Sequence, residues 1–439
     1  MTKPAFLVAA PSSNSGKTTF TLGLLRLLKN KGLEVQPFKC GPDYLDTIHH
    51  SRAARRTSIN LDGYMSSKKH LEHLLGKYSS SADVAIAEGV MGLFDGAERM
   101  NGSSAEISLW LGLPVVLVMD ARAMAYSAAP IIYGFKNFHP DLNLVGVVFN
   151  FVKSESHYNF LKAACEDVGV EALGYVPPNS ELNIPSRHLG LDTQRKAEYE
   201  SLFEKAAAHI EKTVDIDRLL AVTQVELPTP EVTLVKRDKK SSFRIVIAQD
   251  AAFYFFYKEN LDAFEELGEV TFFSPLKDEK LPAADLVYLA GGYPELYVKE
   301  LAANKTMLAS VRAFCENGGK LLAECGGLMY MGKEIEDGEG EKHEMADVFG
   351  FSTSMKKPKL HLGYREFKVG DLEIKGHEFH YSALENGNKE ELIGSVKNAR
   401  GSEVENSFYR KINAIATYQH SYWGEQRNFI ERLFGVEDE

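Results

Sequence analysis

Two short stretches hold residue types from which chemistry can be built. In Pro11-Ser-Ser-Asn-Ser-Gly-Lys-Thr-Thr19 an apolar run gives way to a tight loop and then to an apolar-periodic segment from about Thr18 to Leu28. A strand, a loop and a helix start are what a phosphate cradle needs. Backbone N–H groups at the helix N-terminus meet the phosphates, Lys17 reaches the β- and γ-oxygens, and the Thr18 hydroxyl ligates Mg²⁺. Ser15, Gly16 and Thr19 complete the loop, and Pro11 stands where the usual pattern has its first glycine. The second stretch is Lys320-Leu-Leu-Ala-Glu-Cys-Gly-Gly-Leu-Met-Tyr330. There an apolar strand turns sharply at Cys325 into a helix start, as in a nucleophile elbow with cysteine in the serine position. A helix N-terminus is expected to lower the thiol pKa, and the Gly326 N–H to face a tetrahedral oxyanion. A lone buried cysteine is ordinarily structural. Here it is accompanied by the loop Ala290-Gly291-Gly292-Tyr293-Pro294-Glu295, which can present a second oxyanion donor, and by His420 late in the chain as a candidate base.

Carboxylates gather around the phosphate loop. Lys39-Cys-Gly-Pro-Asp-Tyr-Leu-Asp46 and Glu88-Gly-Val-Met-Gly-Leu-Phe-Asp95 each follow an apolar run, which places Asp43, Asp46, Glu88 and Asp95 at strand ends, where they could complete a metal shell beside the γ-phosphate. Turn-capping is a plausible reading of each acid singly, but a weak one for acidic clusters gathered at the mouth of one sheet. His377-Glu-Phe-His380 lacks the His-Glu-x-x-His spacing of zincins and points to a substrate-facing or structural role.

The elements that must position these residues are legible from apolar runs. Phe6 to Ala10, Leu33 to Phe38, Val84 to Ala87, Val115 to Met119 and Leu144 to Phe149 alternate with helical patterns, which predicts a mostly parallel sheet. From about 190 to 242 the pattern becomes charged helix and then a Pro-spaced, Lys-rich stretch, read as a linker over 191–242. A second series starts at Phe243 and includes Val270 to Phe273, Leu286 to Leu289 and Leu321 to Ala323. The fold class is therefore α/β, with two open, mostly parallel sheet domains at 1–190 and 243–439. In such sheets ligands bind beyond the carboxyl ends of the strands, where the two stretches above lie.

Composition narrows the partners. A net charge of −11, with no Lys/Arg run interleaved with aromatics, argues against nucleic acid. No apolar run is long enough for a membrane span or signal peptide, so a cytoplasmic protein that contacts no membrane is expected. Four scattered cysteines, without a Cys-x-x-Cys pair, speak against a disulfide framework or a zinc site.

Together these motifs resemble the cobyrinate a,c-diamide synthase family nearly end to end. The carrying residues are Ser15 to Thr19, Gly41 to Asp46, Glu88 to Gly96, Gly291 to Glu295, Ala323 to Tyr330, Leu362-Gly-Tyr-Arg-Glu366 and Gly376 to Ser382. The resemblance implies an N-terminal domain like dethiobiotin synthetase that uses ATP and Mg²⁺ to phosphorylate the a and c carboxylates of a corrin-type ring. It also implies a C-terminal class I glutamine amidotransferase domain that releases ammonia to attack the acyl phosphate. Carried over by motif, Lys17 and Thr18 bind phosphate and Mg²⁺, and Asp43, Asp46, Glu88 and Asp95 serve metal, ATP and phosphorylation. Tyr44 and Leu45 lie near the macrocycle, and Cys325 and His420 form the glutaminase pair. The implied partners are cobyrinate or a related tetrapyrrole, glutamine and ATP, with a homodimer as one assembly to expect. The chain departs from the family where His420-Ser-Tyr422 replaces a His-x-His tail and Asp46-Thr47 replaces Asp-Pro. Hydrogenobyrinate and nickel-sirohydrochlorin remain open as alternative rings. A P-loop ATPase switch would account for residues 1–190 only, and it has a signature Lys where this chain has Ser12.

Overall fold

The structure, a computed structural model, describes residues 2–182, 196–229, 243–386, 392–404 and 408–436 of the 439. These form two compact units.

The N-terminal unit is built on β1 (Thr2–Ala9), α1 (Lys17–Asn30), β2 (Val35–Cys40), α2 (Leu45–Ala54), β3 (Ile59–Leu61), α3 (Lys68–Ser79), β4 (Val84–Glu88), α4 (Ser104–Leu111), β5 (Val115–Asp120), α5 (Ala128–Asn137), β6 (Leu144–Asn150), α6 (Glu155–Val168) and β7 (Glu171–Val176). Seven strands run parallel in the order β3-β2-β4-β1-β5-β6-β7. Apolar side chains on both faces explain why these strands read as continuous hydrophobic runs: Leu7 and Ala9 point to one layer of helices, Phe6 and Val8 to the other. The carboxyl ends of β1, β2 and β4 lead into the phosphate loop, Gly41–Asp46 and Gly89–Asp95.

Part of the presumed linker is structured. Residues 191–195 and 230–242 lie outside the described residues, but the chain between them forms α7 (Lys196–Ile210), α8 (Ile216–Val222) and β8 (Gln224–Glu226), the last pairing antiparallel with β1. Phe203, Ala207 and Ile210 on α7 bury against the same core as Leu24 and Leu28 of α1. Glu198, Glu204 and Lys205 lie on the exposed face of this amphipathic helix, and the Lys-rich stretch falls outside the described residues.

The C-terminal unit contains β9 (Arg244–Ala248), α9 (Lys258–Leu267), β10 (Glu269–Phe273), β11 (Leu286–Leu289), α10 (Val298–Ala303), α11 (Lys305–Glu316), β12 (Lys320–Glu324) and α12 (Gly326–Met331). It continues with β13 (Glu334–Glu336), β14 (Lys342–Glu344), β15 (Ser352–Ser354), β16 (His361–Val369), β17 (Leu372–His380), β18 (Ala383–Glu385), β19 (Leu392–Ile393), β20 (Ser395–Asn398), β21 (Phe408–Lys411), β22 (Ala414–Thr417), β23 (His420–Ser421) and α13 (Phe429–Phe434). The main sheet, β10-β9-β11-β12-β22-β21-β19, is parallel from β10 to β22. Beside it stands an antiparallel sheet, β20-β16-β17-β23. Among the described residues, no helix is long and apolar enough to cross a membrane.

Candidate functional site

The phosphate loop is held open by its backbone. Gly16, at the N-terminus of α1, has φ 85°, and a Cβ there would fall 1.9 Å from Asn150 Nδ2, so only glycine fits. Asn150 Nδ2 donates to Ser15 O at 2.9 Å, and the Ser15 hydroxyl donates to Ser12 O at 2.9 Å. Lys17, Thr18 and Thr19 begin the helix.

The carboxylates fall into two groups. Glu88 and Asp46 enter one buried network. Glu88 Oε1 accepts from the Thr18 hydroxyl at 2.7 Å and from Lys39 Nζ at 3.0 Å, and Oε2 lies 2.7 Å from His50 Nε2. Lys39 also pairs with Asp46 Oδ2 at 2.7 Å. Burial disfavours every charge in this set, yet Lys39 holds Asp46 below the usual carboxylate range and, with His50, holds Glu88 well below it. Burial likewise opposes the Lys39 charge, but Asp46 and Glu88 hold its pKa above the ordinary lysine value. For Lys17 burial prevails, and its pKa falls despite the nearby Glu88. Asp43 and Asp95 brace loops as well: Asp43 Oδ1 accepts from Asp46 N at 2.8 Å and Asp95 Oδ2 from Gly92 N at 3.0 Å. Tyr44 is buried and Leu45 partly so, where the chain enters α2.

Sequence reasoning gave no role to Lys39 or His50. The signals were present. Lys39 interrupts an apolar strand near its carboxyl end, and His50 lies four residues after Asp46, on the same face of α2. Thr18, Glu88 and Asp46 are oxygen donors of the kind Mg²⁺ takes, with the Lys39 ammonium paired with both carboxylates.

In the C-terminal unit Cys325 sits between β12 and α12 with φ 49° and ψ −101°, a strained conformation for a residue with a side chain. Its N–H donates to Thr417 O at 2.7 Å, at the end of β22, and three residues further on His420 opens β23. His420 stands opposite His377 of β17, with the two rings stacked at 5.0 Å. The Gly291–Gly292 loop lies against His420 and against Gly326, the residue after Cys325. A Cβ on Gly291 would meet His420 Cε1 at 2.2 Å, and one on Gly326 would lie 3.1 Å from Gly292 N. Tyr293, buried after this loop, packs edge-on against Phe255 at 5.3 Å.

The electrostatics differ from expectation. Burial, reinforced by Glu295, pushes the Cys325 thiol far up and outweighs the Gly326 N–H at the helix start, which lowers it. Burial, with His377 and His380 nearby, holds His420 well below the ordinary histidine value. The helix that follows has only six residues and Cys325 is buried, so desolvation outweighs the dipole. Both shifts favour the neutral forms, a thiol at Cys325 and an uncharged imidazole at His420. His377 and His380 are committed to packing and hydrogen bonds: His377 Nδ1 is 2.9 Å from Tyr257 OH, and His380 Nδ1 is 3.0 Å from Ser382 O.

Two family models match the chain. Residues 6–191 match the CobQ/CobB/MinD/ParA nucleotide binding domain, and residues 244–428 the CobB/CobQ-like glutamine amidotransferase domain. The N-terminal half therefore binds ATP. Proteins named cobyrinate a,c-diamide synthase align over almost the whole chain: that of Listeria innocua is 39% identical over 98% of this chain and 98% of its own length, and that of Streptococcus sanguinis 40% over 97% of each. The Salmonella typhimurium protein of that name is 38% identical over 97% of this chain and 96% of its own. The chain belongs to the cobyrinate a,c-diamide synthase family. As a member it is a glutamine-dependent amide ligase of the two-domain α/β type, and the ATPase switch reading falls away because that reading leaves the amidotransferase half without purpose.

Proposed function

We propose that this chain converts the a and c carboxylates of cobyrinate to amides with ATP and glutamine. The observation that carries this reading is the near full-length similarity to synthases of that name, joined to two sites equipped for the two half-reactions. Residues 1–190, extended by α7, α8 and β8, are assigned to carboxylate activation, and 243–439 to ammonia release.

In the first half-reaction a ring carboxylate oxygen attacks the γ-phosphorus of ATP, and ADP leaves from an acyl phosphate. Lys17 and Lys39 face the charge that develops, and the loop around Gly16 fixes the phosphates in line. Mg²⁺ would be held by Thr18, Asp46 and Glu88, with Asp43 and Asp95 supporting, and would supply charge neutralisation on the β- and γ-phosphates. Tyr44 and Leu45 are assigned to the macrocycle. In the second half-reaction the Cys325 sulfur attacks the glutamine amide carbon while His420 takes the thiol proton and returns it to the departing ammonia. The N–H groups of Gly326 and of the Gly291–Gly292 loop receive the oxyanion, and Tyr293 walls the glutamine pocket. Water then cleaves the thioester to glutamate, and ammonia displaces phosphate from the acyl phosphate. The protein acts on small molecules in the cytoplasm and needs no nucleic acid or membrane. A homodimer is the assembly we propose.

The test is a nitrogen-source comparison on cobyrinic acid with MgATP, read by mass spectrometry. The wild type should form a diamide through a monoamide. Cys325→Ala should lose the glutamine-dependent product and keep the product formed with ammonium chloride, and EDTA should abolish both. Amidation of nickel-sirohydrochlorin or hydrogenobyrinate but not of cobyrinic acid would overturn the ring assignment alone.

A further inference from the structure

Glu324 is the last residue of β12, immediately before Cys325, and is 1% exposed. A carboxyl in such a place is costly unless every lone pair is used. Both oxygens are used, and on different strands. Oε1 accepts from the Ser421 N–H at 3.0 Å, and Oε2 from the Tyr288 hydroxyl at 2.7 Å. Ser421 is the neighbour of His420 on a two-residue strand, and Tyr288 lies on β11, which runs on into Gly291. The Ser421 carbonyl is held in turn by Asn260 Nδ2 at 2.8 Å, so buried side chains grip this residue on both sides. Residue 422, two beyond His420, is a buried Tyr.

We propose that Glu324 is a positioning residue of the amidotransferase site: its carboxyl ties the strand ending in Cys325 to the strand carrying His420 and fixes where that imidazole stands. It acts through the Ser421 backbone rather than on the ring. An apolar residue at this strand end would leave the buried Ser421 N–H and the Tyr288 hydroxyl without the carboxyl that now accepts from both. The role rests on the assignment of Cys325 and His420 made above.

The experiment compares Glu324→Ala, Glu324→Gln, Tyr288→Phe and Cys325→Ala in the full chain, with glutamine or ammonium chloride as nitrogen donor. Glu324→Ala should lower the glutamine-dependent kcat by about tenfold or more, with KM for glutamine within about threefold and ammonia-dependent synthesis retained. Glu324→Gln keeps an oxygen for the Ser421 N–H and should recover most of kcat. Tyr288→Phe removes only the second bond and should cost less than the alanine variant. The role is overturned if Glu324→Ala keeps wild-type kcat, raises KM alone, or loses ammonia-dependent synthesis in parallel, and equally if the glutamine variant is as impaired as the alanine one. Glutamine use by Cys325→Ala would instead mark failure of the underlying site assignment.

Discussion

Gly291 lies flat against the imidazole of His420, so close that a methyl on its Cα would meet Cε1 at 2.2 Å and Nδ1 at 3.0 Å. The backbone here is not free to retreat, because Gly291 O accepts from both Tyr254 N at 3.0 Å and Phe255 N at 3.1 Å. Gly291→Ala should therefore move the ring. Its expected effect is a fall of about tenfold to a hundredfold in glutaminase kcat, with ammonia-dependent amidation unchanged, measured as glutamate release and as product with each nitrogen source. Wild-type glutaminase in this variant would show that the ring does not work from this position.

The neutral thiol of Cys325 predicts a chemical behaviour. A thiol pushed up by burial is protonated at pH 7, and only its thiolate is alkylated. Without glutamine, Cys325 should react with iodoacetamide at least about tenfold more slowly than an exposed cysteine at pH 7, and its rate should still be climbing at pH 9.5. Cys40, Cys165 and Cys315, also buried and each pushed up to about 12, should be comparably slow, so peptide mass spectrometry must assign the site. A rate for Cys325 that is already flat by pH 7 would mean a thiolate at rest and restore the helix-dipole expectation.

Both sheets are legible in the chain because parallel strands buried on two faces leave unbroken apolar runs, and the two loops proposed to carry the chemistry follow such strands and hold Gly with Lys17 or Cys325. What is hidden depends on tertiary partners. α7 looks like linker until Glu200 and Glu204 are seen to meet Arg26. Asp43 and Asp95 look like Glu88 and Asp46 in sequence, and only the fold separates a loop brace from a member of the buried network. Lys39 and Glu324 were available as charges at the ends of apolar strands, but strand ends border solvent, and sequence alone does not say which of them are dry.

Arg26 supplies a test of the α7 assignment. Its guanidinium is 1% exposed and serves four acceptors: Glu200 Oε2 at 2.8 Å and Glu204 Oε1 at 2.7 Å on α7, and the carbonyls of Ala53 and Arg52 at 3.0 Å each near the end of α2. Breaking a fully buried pair costs roughly 3–5 kcal/mol, and because both glutamates keep partial access to water the loss for Arg26→Met should be about 2–3 kcal/mol. Arg26→Lys should recover little of it, since one ammonium cannot reach both helices. Urea denaturation followed by circular dichroism measures the difference. An unchanged midpoint would detach α7 from the stability of this unit.

Lys39 carries the last prediction, in which activity and stability should part company with pH. It is the cation shared by Asp46 and Glu88, and Lys39→Met leaves two buried carboxyls facing each other without it. Product should be lost with either nitrogen donor, while glutaminase turnover in the other unit persists. In the wild type both carboxyls have depressed pKa values, so their stabilisation is present above their unfolded values of about 4 and is lost as the pH falls through the folded ones. In the variant Asp46 loses its first cation and burial raises it, so its contribution is present in acid and lost as the pH rises, while Glu88 keeps only His50 and Lys17 against burial. The stability gap between wild type and Lys39→Met should accordingly be about 3–5 kcal/mol at pH 7.5 and shrink measurably by pH 4.5, as read from urea midpoints at the two pH values. A gap that does not change with pH would mean that Lys39 contributes packing alone, and that the charge pairing seen around Glu88 has no energetic consequence.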